Sequence, residues 1–159
     1  VQTKILEINS KTGLYPLYVT YSLFRRRLDE YIKAECIDKE TVSVQEEQVV
    51  WDDIVENNMY VICNTPMAKG ITRRTLFGFR QVDQKANIQN VQLIERASKD
   101  QEGLVKDLKS AGFWKGNSSK QEMKFNAVVG NPPYMLKQDA TSDTPIYHQF
   151  MELGFNYLH

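Results

Sequence analysis

Asn131-Pro132-Pro133-Tyr134 is the stretch of this chain whose residue types and order could do chemistry. It follows an apolar run at 125–129 that reads as a strand, and Gly130 breaks that run. Two consecutive prolines fix two φ angles and remove two backbone N–H donors. An acceptor-rich corner remains: the Asn131 side-chain oxygen, the Pro132 carbonyl, and an aromatic face from Tyr134. That set suits a planar ligand with an exocyclic NH₂ group. Its two N–H bonds would go to the two acceptors, and its ring would stack on the tyrosine. The competing reading is an ordinary turn, because Asn and Pro are turn residues.

Such a corner needs a strand end to hold it, and the rest of the chain reads as strands alternating with helices. Residues 4–8 form a short, mostly apolar strand and 9–13 a tight turn. Leu14, Leu17, Tyr18, Tyr21, Phe24, Leu28, Tyr31 and Ile32 then recur at helical steps of three and four. A polar loop is expected over 36–44, and a helix over 45–57 with Val50, Trp51, Ile54 and Val55 facing in. A buried strand follows at 59–63, then a helix from Pro66 to about Phe77 with Thr65 as its cap. Residues 78–90 carry no readable period. The pattern predicts a third strand over 90–95 and a helix over 101–110 ending at Gly112. It also predicts a polar loop over 113–121 around Trp114 and a fourth strand over 125–129. Residues 135–143 read as loop, Thr144-Pro145 as a second capped helix start, and 146–158 as a helix face.

This alternation predicts one α/β domain with a doubly wound, mostly parallel sheet covered by helices on both faces. Such sheets bind ligands at the carboxyl ends of strands, where the strand order reverses. The corner at 130–134 falls at a strand end of that kind.

Composition excludes several function classes. Twenty basic and twenty acidic residues cancel, so no global field draws the chain to nucleic acid or acidic lipid. No apolar run approaches the roughly 20 residues of a membrane span, and no secretory leader opens the chain. A cytoplasmic protein without a membrane partner is expected. The opening at Val1, directly on a strand-like run, suggests an excised piece. Cys36 and Cys63 form no CxxC pair, and only two histidines are present, so a zinc site or disulfide framework is not expected.

Other groupings read as structural. Ser10-Lys11-Thr12-Gly13 lacks the order of a phosphate loop. Asp107 with Glu122 and Lys124 is the chance spacing of acids in a charged chain. Lys69, Arg73, Arg74 and Arg80 make a stripe that reads first as a solvated helix face and second as a phosphate contact. Arg25, Arg26 and Arg27 point to different sides of one helix, toward solvent or another domain. His148 reads as a polar residue of the last helix, and Trp51 and Trp114 as packing residues.

The run Val128-Val129-Gly130-Asn131-Pro132-Pro133-Tyr134 resembles the catalytic motif of amino-methyltransferases that use S-adenosylmethionine. It is most similar to adenine-specific DNA methyltransferases of bacterial restriction–modification systems. Residues 4–7 through 12–17 look like the cofactor motif of those enzymes. Asn64-Thr65-Pro66-Met67-Ala68-Lys69 and Ile71-Thr72-Arg73-Arg74-Thr75-Leu76 are similar to a block of the large fused methylase–restriction proteins, and Pro145-Ile146-Tyr147-His148-Gln149-Phe150 follows as in that group.

The resemblance implies a Rossmann-like methyltransferase fold with the first and fourth strands adjacent at the switch point. It implies a cofactor half at 1–80 and a catalytic-motif part at 120–159 of one partial domain, 1–159. Asn131, Pro132 and Tyr134 would be catalytic, and Glu7, Asn9, Thr12, Gly13 and Asn64 would bind S-adenosylmethionine, with no metal. The substrate would be an adenine flipped out of double-stranded DNA, and the partners would be DNA and the remaining domains of the parent protein. Where the family carries two or three glycines after the first strand, this chain has Gly13 alone, and Asn64 stands where an acidic residue ends the second strand. Four strands against the family's seven or so, and no target-recognition region, imply a fragment inactive alone on DNA. Protein-glutamine or RNA-guanine methylation, and a non-catalytic scaffold within a restriction enzyme, are the alternatives.

Overall fold

A computed structural model of the chain describes residues 3–80, 86–133, 135–136 and 144–158. Strands β1 (Ile5–Ser10), β2 (Met59–Cys63), β3 (Asn87–Asn90) and β4 (Ala127–Gly130) pair in parallel in the order β3-β2-β1-β4. The chain runs from β1 outward to β3, then returns to the other side of β1 for β4. The strand order therefore reverses between β1 and β4, which is the adjacency expected at a switch point.

Period-two alternation assigns each strand residue to one of two cores. Leu6, Ile8, Tyr60 and Ile62 face one layer, built by α4 (Leu93–Lys99), α5 (Gln101–Leu108), α6 (Ala111–Lys115) and α7 (Tyr147–Glu152). Ile5, Met59, Val61 and Cys63 face the other, built by α1 (Leu14–Glu35), α2 (Val44–Asn57) and α3 (Pro66–Phe77). Burial on both faces explains why β2 is wholly apolar, whereas β1 is buried throughout and yet carries the polar residues Glu7, Asn9 and Ser10. Each fully buried aliphatic side chain contributes about 1.5–3 kcal/mol.

The helices start where local chemistry dictates. Ser43 and Glu46 form a capping box on α2. Thr65 caps α3 by accepting from the Ala68 amide, with Pro66 in the first turn.

Several expectations need correction. The strand expected over 90–95 lies earlier, at Asn87–Asn90, and Leu93 begins α4 instead. Leu93 and Ala97 are four residues apart, so both reach the core from a helix. β3 is polar because side-chain bonds stand in for apolar packing: Asn87 Nδ2 donates to the Glu56 carbonyl, and Gln89 Nε2 to the carbonyls of Phe113 and Trp114. The helix expected over 101–110 ends at Leu108, and Gly112 lies inside the separate α6. The loop expected over 113–121 thus begins as helix, with Trp114 buried among Tyr60, Phe113 and Phe125 in edge-to-face contacts and donating to the Leu108 carbonyl. Thr144-Pro145 is a strand, β6, paired antiparallel with β5 (Met135–Leu136); α7 starts two residues later. A six-residue π-helix, Leu153–Leu158, continues α7. Cys63 is buried, but Cys36 is exposed.

Candidate functional site

The site is built from two strand ends. β1 carries an irregularity between Ile8 and Ser10, and Asn9 there has φ +70°. Asparagine tolerates that left-handed backbone better than most residues. The kink sends the Asn9 side chain across to the next strand, where Nδ2 donates to the Asn131 carbonyl at 3.1 Å. The loop after β1 and the corner after β4 are thereby joined directly.

Gly130 makes the approach possible. Its φ is +155°, and a Cβ there would sit 2.3 Å from the Ile8 carbonyl oxygen. No side chain fits, so the glycine immediately before Asn131 is a packing requirement. Beyond it, Asn131 is exposed and Pro132 half-buried. Tyr134 lies outside the described residues. Pro132 borders an apolar cleft of about 240 Å³, with Ile8, Val128, Phe150 and Phe155 among its walls.

On the β1 side, Glu7 is 2% exposed, on the face it shares with Val61 and Cys63. Burial pushes its carboxyl up to about 7, and a hydrogen bond from Ser10 opposes part of that rise. Glu7 Oε2 is buried and has no partner among the described residues. Burial likewise pushes the Cys63 thiol up to about 11, so it stays protonated and donates to the Thr72 hydroxyl at 3.7 Å. Thr72 and Ser10 are hydrogen-bonded at 3.0 Å. With the Ser10 proton on Glu7, Thr72 donates to Ser10. A directed chain of small polar groups thus runs from Cys63 to the carboxylate.

The other sequence-derived residues separate. Gly13 is buried with φ +78° and its carbonyl accepts the first helical bond of α1, from the Leu17 amide. Thr12 is exposed, and its carbonyl accepts from Thr75. Asn64 turns toward the opposite layer, where Oδ1 accepts from the Ile94 amide at 3.3 Å. Asn9 and Asn131 are brought together at adjacent strand ends, Glu7 and Gly13 lie in and just after β1, and Asn64 is engaged at the start of α4.

The basic stripe has intramolecular partners. Arg80 pairs with Asp52 through two bonds of 3.0 and 3.1 Å, Lys69 donates to Gln89, and Arg74 lies over the Phe79 ring. Arg27 pairs with Asp53 and donates to Asn58. Among the described residues no group of acidic, histidine or cysteine side chains could hold a metal, and no helix is long and apolar enough to cross a membrane.

The family description Eco57I restriction-modification methylase matches residues 57–159, more than half of the chain and the part that includes β2, α3 and the β4 corner. The chain belongs to this family. It is a methyltransferase of the restriction–modification kind, and its parallel α/β sheet is the fold expected of one. A second description, RNA binding activity-knot of a chromodomain, matches residues 1–39. Those residues hold β1, at the middle of the methylase sheet, and α1, so they do not form a separate unit. The comparison with curated proteins gives no match.

Sequence reasoning gave no role to three residues of this candidate site. Gly130 stood in the 128–134 motif and at the end of an apolar run, but its lack of room is a property of the neighbouring strand. Thr72 and Thr75 fell inside the 71–76 block without a role of their own, although two threonines three apart on one face were a usable signal.

Proposed function

We propose that this chain carries the methyl-donor loop and the amine-recognition corner of an adenine-specific DNA methyltransferase. The observation that carries the reading is the Asn9–Asn131 bond, which joins the two strand ends at which donor and acceptor would meet. The Asn131 side-chain oxygen and the Pro132 carbonyl accept the two amine hydrogens of the target base. With both protons held at those oxygens, the lone pair is concentrated on the nitrogen. Tyr134 stacks on the ring, and the apolar cleft beside Pro132 excludes water from the base. The two prolines hold the corner in place before substrate arrives.

S-adenosylmethionine, when bound, supplies an electrophilic methyl group on a sulfonium centre. The residues of β1 fit such a group because the buried Glu7 carboxylate, with one oxygen unpartnered among the described residues, favours a cation beside it. A bound positive charge would bring Glu7 back into the ordinary carboxylate range. Asn9, Thr12 and Gly13 would line the rest of the donor site, with Asn64 at its margin. Double-stranded DNA presenting a flipped adenine is the acceptor, and the parent protein's remaining domains would supply target recognition.

Transfer of labelled methyl groups by the full-length protein to duplex DNA, RNA and protein tests the reading. Label in DNA adenine is expected, falling about 10²–10³-fold in Asn131→Ala with thermal stability unchanged. Label in RNA or protein would keep the corner's chemistry and change the substrate. No label and no cofactor binding would leave a scaffold domain.

A further inference from the structure

The loop after β1 has one glycine, and an external element fixes it. The Thr75 hydroxyl donates to the Thr12 carbonyl at 2.7 Å, and also lies 3.0 Å from the Ile71 carbonyl of its own helix. Thr72, fully buried one turn earlier, bonds the Ser10 hydroxyl. Gly13 fits between them: a Cβ there would lie 2.9 Å from Thr75 Cβ and 3.0 Å from Thr72 Cα. One face of α3 therefore touches the loop at residues 10, 12 and 13.

We propose that Thr72 and Thr75 are positioning residues that brace the methyl-donor loop from outside. The inference rests on reading that loop as the donor site. A trans peptide holds its C=O and N–H on opposite sides. Tying the Thr12 carbonyl to α3 therefore turns the Gly13 N–H away from α3, at the positively polarised start of α1. Thr72 does the equivalent for Ser10, orienting the hydroxyl that donates to Glu7. The brace supplies the fixation that this loop, with a single glycine, does not obtain from its own backbone.

The test uses the full-length protein, with S-adenosylmethionine binding followed by titration calorimetry and loop exchange by hydrogen–deuterium exchange without ligand. Thr75→Val keeps the side-chain shape and removes the hydroxyl. Exchange at residues 11–14 should accelerate and affinity should weaken, each by about tenfold, the worth of one hydrogen bond. Amides of β2 should be unaffected. Thr75→Ser should restore both quantities, which a purely structural loss would not. Thr72→Val and Thr72→Ser form a second pair, read at residues 10 and 11. Unchanged loop exchange in the valine variants, or failure of serine to rescue, overturns the brace. Absence of S-adenosylmethionine binding by the unaltered protein would overturn the donor reading instead, and the exchange comparison would still decide whether α3 holds the loop.

Discussion

The two strand ends that meet at this site are held in different ways. The corner after β4 is fixed by covalent geometry: a glycine with no room for a side chain, then two prolines. The loop after β1 is fixed by hydrogen bonds from residues 60 or more positions away, Thr72 and Thr75. The difference suits the two tasks proposed for them. An acceptor corner must present two oxygens at one separation, and restricted φ angles achieve this without outside help. On the proposed reading, a loop that admits a charged ligand beside a buried carboxylate would yield and close again, and hydrogen-bonded contacts can do so. The single bond from Asn9 to Asn131 couples the rigid end to the adjustable one.

The rigid end breaks most severely. Gly130→Ala places a Cβ against the Ile8 carbonyl and forces β4 away from β1. A loss of about 3–4 kcal/mol is expected, measured by urea denaturation. A loss below about 1 kcal/mol would mean that the two strands are not closely paired there.

The adjustable end is sharpened by pH. The Glu7 carboxyl titrates near 7 in the fold against 4.5 for its ordinary value. The folded chain therefore keeps a proton that the unfolded chain loses between those values. Glu7 thus costs nothing in acid; stability falls as pH rises from about 4.5, and the full cost of about 3 kcal/mol is present above about 7. Glu7→Gln should remove that slope and raise the melting temperature of the ligand-free chain at pH 8.5, while weakening binding of a cationic ligand. Equal destabilisation of the variant at pH 5 and pH 8.5 would contradict the assignment.

The link between the two ends gives the smallest effect. Asn9→Gly keeps the left-handed backbone and removes the tether. Stability should change by no more than about 1 kcal/mol, while methyl transfer falls about tenfold. Asn9→Ala should lose about 1 kcal/mol more stability through backbone strain. Wild-type transfer rates in Asn9→Gly would separate the tether from the chemistry.

Legibility followed the same division. The corner was readable from Asn131, Pro132 and Pro133 because proline acts on its own backbone and needs no neighbour. β2 was readable because burial on both faces makes a strand continuously apolar, β1 from its apolar Ile5, Leu6 and Ile8, and α3 because Thr65-Pro66 starts a helix locally. β3 was missed because its pairing depends on Asn87 and Gln89 bonding to distant carbonyls. The strand misread at 90–95 came from taking the apolar Val91, Leu93 and Ile94 as a strand run, when Leu93 and Ala97 face the core from a helix.

By itself the sequence determined an alternating α/β chain and a corner fixed by two prolines, and it suggested the amine-binding chemistry proposed for that corner. These depend on residue type, periodicity and covalent restriction, which are local. Only the tertiary structure decided that Gly130 must be glycine, that Asn9 reaches Asn131, that Glu7 is buried with one oxygen unpartnered among the described residues, and that α3 bonds the loop. Each of these depends on which strand lies beside which. That order is set by how the whole chain buries its two faces, and a residue's neighbours in sequence do not contain it.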